Sequence, residues 1–116
     1  MLKMRIQILK NGGIIGEDVA AFMEQVIDMM AADYPQIPTD PAAMFTTHLA
    51  MALERIKKGE IVDALDEEIF AEVLECPEYP AALGFLDKML AFCPIPFPDS
   101  EAQFILMHIC NMLQQC

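Results

Sequence analysis

Two histidines, His48 and His108, are present among 116 residues, and they are the side chains best placed to do chemistry near neutral pH. An imidazole nitrogen can serve as a general base, ligate a metal or accept a phosphoryl group. The other nucleophiles narrow quickly. Ser100 is the only serine and sits where a helix cap is needed. Cys76, Cys93, Cys110 and Cys116 contain no CxxC pair and lie beside apolar residues, so they read as reduced, mostly buried thiols. His108 and Cys110 are close in sequence, but residues two apart on a helix point roughly 200° apart and cannot pair. Metal ligation needs three or four converging groups, and neither HExxH nor a carboxylate–histidine spacing is present, so neither a metal nor a cofactor is implied. Among 18 acidic residues no carboxylate pair stands out as a hydrolase. A histidine nitrogen can also accept a phosphoryl group, and a polar, partly open groove would suit that role.

The elements that must position these histidines read as helices nearly throughout. Residues 4–9 alternate as a short strand would and end at Asn11-Gly12-Gly13, so residues 1–16 are expected to form an N-terminal arm. From Glu17, the residues Val19, Phe22, Met23, Val26, Ile27 and Met30 follow one helix face until Tyr34-Pro35 stops it. Asp40 as N-cap and Pro41 in the first turn open a second helix, which ends near Lys58 with Gly59 as its left-handed cap. A third helix spans roughly 64–75. A fourth buries Ala82, Leu83, Leu86, Met89, Leu90 and Cys93. The proline-rich run 94–98 is a stiff connector, and Ser100 with Gln103 is a capping-box start for the last helix. The fold class is all-α, a five-helix bundle over residues 17–116 with a strand-like arm before it.

On the second helix, Phe45, Leu49, Ala52, Leu53 and Ile56 form the core stripe, while Thr46, Ala50, Glu54 and Lys57 face mainly outward. His48 falls on the flank, and Arg55, two turns on, lies almost in line with it. The last helix is apolar on nearly every side except one strip of Glu101, His108, Asn111 and Gln115, interrupted by Phe104. A helix surrounded by protein keeps such a strip only where partners or a cleft satisfy it. Two readings stand side by side. His108 is either a buried histidine bonded to Asn111, or it shares a polar groove with His48.

Charge limits the partners. Seven Lys and Arg stand against 18 Asp and Glu, a net charge of −11, and residues 59–116 hold Lys88 as their one base. Such a surface repels a phosphate backbone, so direct nucleic-acid binding is not expected. No stretch is apolar for the ~20 residues a membrane span needs, and no secretory pattern opens the chain. A soluble, cytoplasmic protein is expected.

The residues also carry a resemblance. The run from His48 through Arg55 to Gly59 is similar to the first signature of the PRD, the phosphotransferase-system regulation domain: a helical histidine, an arginine seven residues later and a glycine at the helix end. The run from Asp99 through Glu101, Phe104 and His108 to Asn111 resembles the second, an acidic capped start followed by Phe-Ile-x-x-His-Ile-x-Asn. The sixty-residue gap between the histidines also matches. The resemblance covers roughly residues 17–116.

It implies a five-helix regulatory module, not an enzyme, that packs as a homodimer. His48 and His108 would receive phosphoryl groups from the phosphocarrier HPr or from sugar-specific enzyme II components, with Arg55 and Asn111 as supporting polar residues. Family members couple the module to antitermination or transcriptional activation of sugar genes through an attached nucleic-acid-binding domain. Here the first 16 residues are too few for one, so a stand-alone PRD with a separate regulatory partner is expected. The run after Ile61 departs from the family pattern in lacking the Asn-Pro that often opens the third helix. A protein-interaction subunit with structural histidines and a small hydrolase are the competing readings.

Overall fold

A computed structural model of the chain describes residues 2–60 and 63–114; the expectations for Gln115 and Cys116 lie outside that range. The described residues form six helices, α1 (Leu2–Asn11), α2 (Glu17–Asp33), α3 (Thr39–Lys57), α4 (Glu67–Glu75), α5 (Tyr79–Leu90) and α6 (Asp99–Gln114). The fold is all-α, and α2–α6 make up the expected bundle of five helices.

The strand-like reading of residues 4–9 is corrected by α1. Met4 and Ile8 keep the alternation alive in the sequence, yet both are exposed, and the seam that packs is Leu2, Ile6 and Leu9, at helical spacings of four and three. Ile6 is completely buried. Because α1 lies against α2 and α3, the α3 face expected to point outward is partly covered: Thr46 and Ala50 are fully buried. The Thr46 hydroxyl donates back to the carbonyls of Ala42 and Ala43, which satisfies it inside the core.

The expected core stripe of α3 is otherwise as read: Phe45, Leu49, Ala52 and Leu53 are buried, and Ile56 is half-buried. α3 begins earlier than the Asp40 cap, since Pro38 occupies the cap position and its carbonyl accepts the Ala42 N–H. Asp40 instead contributes negative charge to the first turn. At the other end Gly59 adopts φ +77°, the left-handed conformation expected of it. α4 starts at Glu67, later than expected, because Asp66 caps it by accepting the Glu68 N–H at 2.9 Å. On α5, Phe85 rather than Leu83 is buried; its ring meets Phe45 edge-on and lies 5.6 Å from Tyr34, so it joins α5 to α3 and to the end of α2.

The capping box at Ser100 does not form. α6 starts at Asp99, with Pro98 accepting the Ala102 N–H, so Ser100 lies within the first turn. Gln103 turns away and its Oε1 accepts the Leu65 N–H at 3.1 Å, pinning the α3–α4 connection to α6. A clasp ties the same C-terminal end of α3 to the start of α2. Glu54 Oε1 accepts the Gly16 N–H at 2.7 Å, and Lys57 bridges Glu54 and Asp18 at 3.2 and 2.8 Å. A Cβ at Gly16 would come within 2.9 Å of Lys57 Nζ and Asp18 Oδ1, so those side chains would have to shift. α3 and α6 lie side by side along the site.

A histidine pair over a half-buried ion pair

α3 and α6 present the two histidines to each other. The rings of His48 and His108 stack with centroids 4.7 Å apart and planes 11° from parallel. His48 is exposed, and His108 is half-buried beneath it. Burial pushes the His108 imidazole below its ordinary pKa, and the neighbouring His48 pushes it further the same way. His108 therefore favours its neutral form, which keeps a ring nitrogen lone pair free.

Below the stack lies a small recess of about 70 Å³ lined by His48, Arg55, Glu101, Phe104 and His108. Arg55 does lie on the His48 side of α3, but its guanidinium is engaged: Nη2 is 3.3 Å from Glu101 Oε1. Glu101 is 1 % exposed. Its second oxygen has no hydrogen-bond partner, and neither does Arg55 Nε. The contact is single and long for a charged pair, where bidentate contacts near 2.7–2.9 Å are the strong form. Sequence reasoning placed Glu101 in the polar strip of α6 but assigned it no partner. The signal was a carboxylate on the buried side of an acidic helix start, which needs a cation from another element.

Asn111 lies one turn beyond His108, exposed, and makes no hydrogen bond to His108. It borders a larger cavity of about 290 Å³ between α6 and the start of α3, shared with Asp40, Met44 and His108. Thus His48, His108 and Arg55 converge on one recess, whereas Asn111 lines the separate, larger cavity and not this one.

The described cysteines are free. Cys76 donates to Glu78 and accepts from Gln114, both at 3.0 Å. Burial, reinforced by Cys76 and Glu78, pushes the Cys110 thiol up to about 12, so it stays protonated and unreactive at neutral pH. Among the described residues no group of three or more His, Cys, Asp or Glu side chains is arranged to hold a metal. No described helix is long and apolar enough to cross a membrane.

Facing helices of the bundle thus bring two imidazoles together over an arginine. The family model described as PRD domain matches residues 36–111, well over half of the chain and both histidines with it; the chain belongs to the PRD domain family. It is also 24 % identical over 109 residues to the uncharacterized protein YhfY of Escherichia coli (strain K12), a match spanning 93 % of this chain and 91 % of that protein. No solved structure matches the chain.

Proposed function

We propose that this PRD domain is a phosphorylation-controlled regulator. His48 and His108 accept phosphoryl groups from HPr or a sugar-specific enzyme II component. The modified sites change the packing of a homodimer, and that change sets antitermination or activation of sugar-utilisation genes. The observation that supports this most is the stacked pair itself: an exposed and a half-buried imidazole, close enough that a charge on one must act on the other.

The chemistry needs only a free lone pair. With HPr as donor, an unprotonated ring nitrogen attacks the phosphorus, the new N–P bond forms as the P–N bond of phospho-HPr breaks, and the bonding pair stays with the HPr imidazole. The neutral state favoured at His108 suits this role. On α3, the exposed Met44 and Met51 bracket His48 at helical spacing, an apolar surround suited to a protein donor or a second copy. At net charge −11 the output is expected to pass through a protein partner, and binding to RNA or DNA to be undetectable at physiological salt.

Incubation with enzyme I, HPr and phosphoenolpyruvate tests the reading. Acid-labile phosphohistidine at His48 and His108, with a homodimer by sedimentation at micromolar concentration, is the expected result. Absence of label on both histidines would leave them structural and the module a pure interaction subunit.

A further inference from the structure

The ion pair beneath the histidines is poised to be exchanged. Arg55 offers Glu101 one contact of 3.3 Å and leaves its own Nε unused, while its side chain is 41 % exposed and lines the recess. Glu101 has no such freedom. It is buried, its Oε2 is unpartnered, and Arg55 is its one charged partner among the described residues. We propose that a phosphoryl group on His48 takes Arg55 away from Glu101, and that the buried carboxylate left behind loosens the first turn of α6. This rests on the reading that His48 accepts a phosphoryl group.

The direction follows from charge and burial. A phosphoryl group carries about −1.5 to −2 charges and three acceptor oxygens, against one charge and one engaged oxygen on Glu101. Arg55 follows His48 by two helical turns on the same side of α3, and both line the recess, so turning the guanidinium needs no backbone movement on α3. Removing one partner of a buried pair is costly because the other remains as an uncompensated charge. The first turn of α6 partly offsets that cost through its N-terminal dipole. The remainder is relieved only if Glu101 takes up a proton or leaves the core. Because Gln103 of the same turn holds Leu65, the disturbance extends to the α3–α4 connection.

Phosphoramidate supplies the phosphoryl group without any protein donor. A His48 ring nitrogen forms the N–P bond, the P–N bond of phosphoramidate breaks, and ammonia leaves with the bonding pair. The wild type, with the label mapped to His48 by mass spectrometry, is expected to melt about 5–10 °C lower than the unmodified protein. Glu101→Gln, which has no charge to strand, is expected to show little or no fall. Amides 102–105 are expected to lose hydrogen-exchange protection in the labelled wild type. An equal fall in both proteins, unchanged protection at 102–105, or no label at His48 overturns the exchange; the protection measurement decides even if Glu101→Gln fails to fold. Label and exchange with phosphoramidate but no transfer from HPr would instead remove the proposed donor and leave the exchange standing.

Discussion

The imidazole of His108 lies 4.7 Å from that of His48, nearly parallel to it, although sixty residues separate them in the chain. Two phosphoryl groups at that separation would repel strongly in a half-buried site. Phosphorylation of one ring is therefore expected to suppress the other, so intact-mass spectra should show singly modified chains and few doubly modified ones. His48→Ala should raise labelling at His108 per remaining site. Free double labelling at full yield would mean that the rings part in solution.

The same stack makes stability depend on pH. His108 is held below its ordinary pKa first by burial and then by His48, so the unfolded chain binds more protons between the lowered value and about 6.5. Stability is present above that window and is lost as pH falls through it. Melting curves from pH 7.5 to 5.5 should show a falling Tm, and His108→Gln should flatten the slope. A histidine NMR titration should place His108 below a free histidine, moving upward in His48→Ala.

Ile6 anchors α1 with no exposed surface. Ile6→Ala is expected to cost about 2–5 kcal/mol in chemical denaturation, the range for emptying a buried Ile position. Met4→Ser and Ile8→Ser, on the exposed side of the same helix, should stay within about 0.5 kcal/mol. Equal effects at all three would mean that α1 is not docked.

Two glycines should respond with opposite signs. Gly59 has φ +77°, so Gly59→Ala forces a left-handed alanine and is expected to destabilise by about 1–2 kcal/mol. Gly84 lies exposed within α5, where an added methyl meets nothing within 4 Å. Gly84→Ala should stabilise by about 0.5–1 kcal/mol. Urea midpoints moving in the same direction for both would refute the backbone argument.

Much of the bundle was legible because single-helix patterns decide it: the α2 face, the α3 stripe, and the breaks at Pro35, Gly59 and Pro94–Pro98 all follow from periodicity and backbone limits. What was not legible came from contacts between elements. Thr46 and Ala50 read as outward because nothing within α3 reveals that α1 covers them. The residues Met4, Ile6 and Ile8 fit a strand as well as a helix, and burial of the Leu2–Ile6–Leu9 seam settled it. Gln103 fits a capping box locally but bonds to Leu65, 38 residues away. Arg55 aligned with His48 on a wheel; its tie to Glu101 is a property of two helices and invisible on either alone.

The site is built from the third and the sixth of six helices, with α4 and α5 completed between them. During synthesis α6 is the last of these to emerge, so α3 must wait with the buried side of its histidine flank uncovered. The stack, the recess and the arginine–glutamate contact then form together in one docking event. Local helix–helix contacts such as α1 on α2 can assemble early, whereas the α3–α6 contact closes a long loop and comes at a greater entropic cost. A truncation within α6 before His108 removes the histidine pair at a stroke while leaving α1–α3 able to associate. A nascent chain thus has no histidine pair until α6 has docked on α3.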